Sequence, residues 1–326
     1  MGLFGLPAAS QAETCTPRWA EGLFCHPGPD DPVRASVVWD DGSGDALFLG
    51  GSFETVGCDR IEYAVRWDGQ SWQGLTGDSG EGLSGQVRCF AVYDDGHGRA
   101  LYAGGQFETA DDEFVYNIAR WDGSDWSALA GPAGAGVNGP VSSLEVFDDG
   151  SGPALFVAGF FSEAGGVEAS NVAKWNGSSW SALGGPGNSG VDGVVHTLET
   201  FDDGNGPSLY VGGYFSVLSN DEVQHIGRWD GENWSPLASA QGVGTSNRVL
   251  ALEAFDDGNG AALYVGGLFS TAGGLAVSHI AKWDDAGWST LTGPAGTGTN
   301  SFVFALEAVE HEYGKALYVA GLISEA

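Results

Sequence analysis

The chain has 326 residues, with 12 Lys plus Arg against 43 Asp plus Glu and a formal charge of −31 at pH 7. Such a field repels nucleic-acid backbones and anionic membrane surfaces, so neither is an expected partner. With 12 Trp, 17 Phe and 9 Tyr the chain can build a core and is no disordered polymer, and no apolar run approaches the roughly 18 residues of a bilayer-spanning helix.

In chain order, residues 1–12 (MGLFGLPAASQA) are apolar and then small, and place Ser10 and Ala12 at −3 and −1 before Glu13. That resembles the end of a secretory signal peptide without its basic n-region, so residues 13–326 are expected to be secreted or at the cell surface. Cys15 and Cys25 flank a short loop and could form one disulfide, and Cys58 and Cys89 another; the pairing stays open.

From residue 33 onward the chain repeats with a step of 54. Asp-Asp-Gly begins at Asp40, Asp94, Asp148, Asp202 and Asp256. A first tryptophan follows at Trp67, Trp121, Trp175, Trp229 and Trp283, and a second at Trp72, Trp126, Trp180, Trp234 and Trp288. The repeats run over about 33–86, 87–140, 141–194, 195–248 and 249–302, with a partial sixth at 303–326. Within the third, four short segments rich in β-branched and aromatic residues read as strands A (141–147), B (154–161), C (171–175) and D (179–183). Gly-bearing turns join A to B and C to D, and no window has a helical period. The repeat is therefore a four-stranded antiparallel meander. Such a sheet cannot cover both its faces alone, and radial packing of several sheets, the β-propeller solution, covers them.

The glycine doublets Gly50-Gly51, Gly104-Gly105, Gly212-Gly213 and Gly266-Gly267, with Ala158-Gly159 and Ala320-Gly321 as variants, precede the spaced WDGxxW tryptophans. This pattern resembles kelch repeats over residues 33–326, with a longer period, Trp in place of Tyr, and an added Phe at Phe53, Phe107, Phe161, Phe215 and Phe269. The layout is similar also to secreted bacterial repeats of the form LYVGGxF…WDGxxW and to Rax2-like cell-surface repeats. These resemblances imply an exported, all-β propeller and say little about activity. Segments 301–309 and 316–324 supply strands A and B of a sixth blade, and residues 17–24, around Trp19, read as a strand D that closes it. Six blades result, or part of a larger propeller. The latter is favoured because the chain stops at Ser-Glu-Ala, where Ser162-Glu163-Ala164 runs on into Gly165-Gly166.

Antiparallel connections sort the links onto two poles, the A–B and C–D turns at one and the B–C and D–A loops at the other. The turn pole gathers Asp40, Asp41, Asp94, Asp95, Asp148, Asp149, Asp202, Asp203, Asp256 and Asp257, hard oxygen donors of the kind that bind Ca²⁺. Adjacent Asp side chains on an extended strand diverge, however, and the simpler reading has one Asp capping backbone N–H groups of the hairpin. No other cofactor is implied. The cations before each first tryptophan (Arg66, Arg120, Lys174, Arg228, Lys282) suit either an anionic sugar or ion pairs with neighbouring carboxylates, and the scarcity of cations favours ion pairs. Glu145, Glu199, Glu253 and Glu307 share one register of strand A and would raise one another's pKa if they faced a common axis.

His225 and His279 occupy a slot filled by Asn117 and Asn171 elsewhere, which points to a hydrogen bond rather than a catalytic base; His26, His97, His196 and His311 are scattered. GxSxG, HExxH and P-loop motifs are missing from the chain. Repeats this alike leave little room for one unlike catalytic constellation. The expected protein is a monomeric, non-catalytic binding or scaffold module whose carbohydrate or protein ligand sits at the Gly-rich loop pole, such as residues 161–170 and 184–193. A Ca²⁺-stabilised scaffold and a propeller enzyme (lyase or oxidase) are the alternatives.

Overall fold

The computed structural model describes residues 28–77, 80–183, 190–218, 221–293, 296–311 and 314–323. The leader remnant, Cys15, Cys25 and the closing strand expected at 17–24 lie outside them. The described residues are all-β. Five four-stranded antiparallel sheets follow one another in the strand order A-B-C-D. In the third sheet these strands are Val141–Asp148, Pro153–Gly159, Val172–Trp175 and Trp180–Ala182. A sixth sheet consists of Val303–His311 paired with Gly314–Gly321, the expected strands A and B. Strands A of consecutive sheets lie side by side from the first sheet to the sixth. The first and sixth strands A do not pack together in that way.

The core is layered between sheets rather than gathered at one centre, and strand B shows why. In Pro153–Gly159 every residue after Pro153 is buried. Leu155 and Val157 pack backward into the layer shared with the second sheet, whereas Ala154, Phe156 and Ala158 pack forward into the layer shared with the fourth. A strand covered on both faces loses the apolar/polar alternation and reads as a continuous hydrophobic run. Tyr102, Phe156, Tyr210 and Tyr264 are all buried at the forward position, while its counterpart in the sixth sheet, Tyr318, is 56% exposed.

The glycine doublets have distinct duties. The second glycine is kept in all six repeats because a Cβ there would run into the carbonyl oxygen of the residue before strand A, for example Gln86 behind Gly105 and Pro140 behind Gly159. At the first position Ala158 is accommodated, fully buried. Sheets are also tied by the second tryptophan: Trp126 Nε1 donates to Leu75 O at 2.9 Å, Trp180 Nε1 to Leu129 O at 2.9 Å and Trp288 Nε1 to Leu237 O at 3.1 Å. Each bond runs to the preceding repeat, so the indole bridges two sheets while its ring fills the layer.

The suggested Cys58–Cys89 disulfide is incorrect. Cys58 is disulfide-bonded and Cys89 is a free thiol. Cys89 lies on strand A of the second sheet and packs into the layer facing the third, away from the B–C loop of the first sheet where Cys58 sits. Burial drives its pKa up, as expected for a small apolar-like core residue.

Candidate functional site

The links gather at two poles. At the turn pole the C–D turn of each sheet lies on the A–B turn of the sheet before it, bringing Gly177 against Asp95 and Gly231 against Asp149. The two aspartates of each Asp-Asp-Gly separate there. The first caps its own turn: Asp148 Oδ1 accepts from Gly150 N at 2.9 Å and Gly152 N at 3.0 Å, and Asp40, Asp94, Asp202 and Asp256 do the same. The second meets the cation from strand C. The pairs are Asp41–Arg66 (3.0 Å), Asp95–Arg120 (3.3 Å), Asp149–Lys174 (2.7 Å), Asp203–Arg228 (2.7 Å) and Asp257–Lys282 (3.4 Å).

Tyr102 and Tyr264 add hydroxyl bonds to Asp95 and Asp257 at 2.9 and 3.0 Å. Burial alone would raise the pKa of Asp149, but hydrogen bonds from Lys174 and Ser151 outweigh it and hold the carboxyl below its usual range. Asp257 is held at about 2, chiefly by the Asn259 backbone N–H. The expected metal ligands are thus engaged one by one in turns and ion pairs. Among the described residues no three His, Cys, Asp or Glu side chains converge on a point where a metal would sit.

Midway along strand A the expected glutamates reach from sheet to sheet. Glu199 Oε1 accepts from Ala254 N at 3.2 Å, and Glu253 Oε1 from Ala308 N at 3.0 Å, each on the next strand A. Burial, then the charges of Glu145 and Glu253, push Glu199 up to about 8. Burial outweighs hydrogen bonds from Thr200 to push Glu145 up to about 7. The charge of Glu253, two sheets away, adds to the upward push on Glu145.

The loop pole is more ordered than its glycine content suggests. Each B–C loop forms a two-residue hairpin, such as Glu163–Ala164 with Val167–Glu168, and the preceding D–A loop bridges to it, as Val137 does to Ala164. One oxygen-bearing residue per repeat caps two of the hairpin's N–H groups: Asn138 Oδ1 accepts from Ser162 N and Glu163 N, and Asp192 Oδ1 from Ser216 N and Val217 N. Residues 184–189 of the expected ligand loop lie outside the described residues. The Asn/His slot also has a conformational basis. Tyr63, Asn117, Asn171, His225 and His279 all have φ between 62° and 72°, where Asn is favoured. Asn171 Nδ2 donates to Val191 O at 2.8 Å, while the His225 ring instead stacks on Tyr214 with centroids 5.4 Å apart.

Against this repeated frame one position changes from sheet to sheet. The residue after the glycine doublet is Ser52, Gln106, Phe160, Tyr214, Leu268 or Leu322. Gln106 Oε1 accepts from the Arg88 guanidinium at 3.1 Å, and Tyr214 carries the Arg248 guanidinium over its ring at 5.0 Å. Phe160 between them is 62% exposed. Neither Arg88 nor Arg248 forms an ion pair with a described carboxylate, unlike the five cations of the turn pole. A bulge at the start of each strand A, between Val87 and Cys89 and between Val195 and Thr197, takes Arg88 and His196 out of the ladder. Such bulges re-aim side chains. His196 is held below its usual pKa by burial and then by the charges of Arg248 and Arg88. Arg88 is itself depressed, first by burial and then by Arg34.

Arg88 and His196, both half-buried, and the exposed Arg248 make a basic group at the loop-pole end of strands A. The sequence reading passed over it because a search for repeating residues discards those that do not repeat. The available signal was the variable residue after an otherwise regular doublet.

No described protein family and no curated protein matches the chain. Solved structures similar to it include the extracellular domain of the putative one component system BT4673 from B. thetaiotaomicron (14% identity, TM-score 0.40) and that of the putative hybrid two component system BT4673 from the same organism (13% identity, TM-score 0.39). Each match covers 88% of this chain and 38% of the other, so the chain spans well under half the length of these neighbours. No helix among the described residues is long and apolar enough to cross a membrane.

Proposed function

We propose that the chain is a secreted or cell-surface, non-catalytic binding module of the kelch-like β-propeller type, acting as a monomer, with a carbohydrate or protein ligand on its loop pole. The observation that carries this reading is the unlike set Gln106, Phe160 and Tyr214 at one repeat position, two of which hold arginines that lack carboxylate partners. In a chain that otherwise repeats, residues that differ are those able to define a single site.

The propeller reading draws on the successive packing of strands A and on a sixth sheet supplying strands A and B of a sixth blade. Export is supported by the disulfide at Cys58, since such bonds persist mainly in oxidising compartments. Arg88 and Arg248 are permanent cations, suited to hold an anion rather than to move a proton. The test is hydrogen exchange of the full chain against polysaccharide and protein panels, in Ca²⁺ and in EDTA. Protection at residues 86–90, 104–108, 158–162, 194–198, 212–216 and 246–250 is expected. Protection confined to the Asp-Asp-Gly turns and dependent on Ca²⁺ would replace this reading with that of a calcium-bound scaffold.

A further inference from the structure

On the premise that the loop pole is the binding surface, a second departure from the repeat names the class of ligand. The second B–C hairpin, Thr109–Ala110 with Glu113–Phe114, leads out through Phe114, Val115 and Tyr116. The third repeat has Glu168 and Ser170 where Phe114 and Tyr116 stand, the fifth has Ala276 and Ser278, and no repeat but the second has an aromatic at either position. The two rings stack on each other, with centroids 5.6 Å apart and 17° between planes, yet Phe114 is 61% and Tyr116 43% exposed. A lone exposed aromatic is ordinary, whereas a stacked pair in water is a contiguous apolar patch of the kind that marks a contact surface. The pair is also pinned. Val115 between them is fully buried, Val115 N and Tyr116 N both donate to Glu108 O (2.9 and 3.2 Å), and Tyr116 O accepts from Val137 N at 2.9 Å. Little conformational freedom is left for a ligand to remove.

Ring geometry and local charge select the ligand. Two nearly parallel rings present one flat face, that of Phe114 turned away from Tyr116, rather than walls converging on a centre. They therefore suit a flat apolar surface and not the enclosed ammonium of an aromatic cage. Residues 107–117 include Glu108, Asp111, Asp112 and Glu113 and no Lys or Arg, so the hairpin adds to the −31 of the whole chain and repels an anion. An uncharged ring with a flat C–H face, and with hydroxyls that carboxylates can accept from, meets both conditions. We infer that Phe114, backed by Tyr116, stacks on the C–H face of a neutral, β-linked hexopyranose residue.

The experiment is calorimetric titration of the full chain with cellotetraose, with the same tetrasaccharide oxidised at every C6 to a carboxylate, and with tetramethylammonium. Cellotetraose is expected to bind, and the oxidised form to bind more weakly. The double variant F114A/Y116S, which installs the residues of the fifth repeat, is expected to lose affinity at least about tenfold, the effect of a lost ring stack, with an unchanged melting temperature. Arg99→Gln at the turn pole is expected to leave affinity unchanged. Equal or tighter binding of the oxidised form overturns the neutral assignment, and tighter binding of tetramethylammonium that F114A/Y116S removes overturns it in favour of a cation. If F114A/Y116S binds cellotetraose as the unaltered chain does while R88Q/R248Q or Phe160→Ala does not, the platform is overturned and the loop pole stands as the binding surface. Absence of binding by all three probes overturns the platform outright, and hydrogen-exchange protection of the loop pole by another ligand, sparing residues 113–117, would leave the broader reading in place.

Discussion

The two poles are built from the same 54-residue repeat and use it in opposite ways. At the turn pole every sheet from the first to the fifth does the same thing: one aspartate caps the turn and the other neutralises a cation 2.7–3.4 Å away. At the loop pole the backbone repeats as faithfully, with hairpin, bridge and cap, but the side chain after the glycine doublet does not. Charge is cancelled at one end and left open at the other. Regularity therefore marks residues the fold depends on, and departure from regularity marks residues free to recognise something.

The comparison holds only if the loop pole is a rigid frame rather than a floppy end, and the largest expected effect tests that. Gly165 sits in the third B–C hairpin at φ +53°, and a Cβ there would run into the Trp180 indole, the ring that bonds to Leu129 of the second repeat. Gly165→Val combines a left-handed backbone unsuited to a branched residue with overpacking of an inter-sheet ring, and should cost about 3 kcal/mol in chemical denaturation. A loss below about 0.5 kcal/mol would mean that the hairpin yields, and that the loop pole is not preorganised.

The next effect belongs to the turn pole. Asp203, with its side chain 5% exposed, faces Arg228, at 23%. Removing the acid leaves a largely buried guanidinium without its partner, so Asp203→Ala should lose about 2 kcal/mol, discounted from the full cost of a broken buried pair because Arg228 keeps some solvent. Its affinity for any loop-pole ligand should remain that of the unaltered protein. A binding defect equal to that of F114A/Y116S, with stability intact, would erase the distinction between the poles.

Much of this architecture was legible in the sequence because its causes are local and repeated. The step of 54, the Asp-Asp-Gly hairpins and the paired tryptophans give the four strands nearly to the residue, and the continuous apolar run of strand B announces a strand covered on both faces. The ion pairs of Lys174 and its counterparts were legible too, since each cation lies 25 residues from its aspartate in every repeat. The Cys58–Cys89 suggestion failed because chain distance says nothing of which layer a side chain enters: Cys89 faces the third sheet. The basic group was hidden for a different reason. His196 is one of several scattered histidines in the sequence, and nothing in the 54-residue step marks the bulge at which it sits.

The smallest expected effect contrasts the carboxylates themselves. At the turn pole Asp149, Asp203 and Asp257 are depressed, Asp257 to about 2, so the stability they contribute is present above the unfolded value of about 3.9 and lost as pH falls toward 2. Those inside strand A behave in the reverse sense. Burial raises Glu145 to about 7 and Glu199 to about 8, so between about 4.3, where they titrate in the unfolded chain, and those values the folded state binds more protons. Their stabilising contribution is complete below the unfolded value and falls as pH rises through 7 and 8. The melting temperature should therefore decline from pH 5 to pH 8.5, and Glu199→Gln, which keeps an oxygen for the Ala254 N–H and removes the charge, should flatten that slope. An unchanged slope would mean that the strand A carboxylates are solvated as ordinary surface acids. The interior between the poles would then play no part in the contrast, and the glutamate bridges to the neighbouring strand would hold equally well at either protonation state.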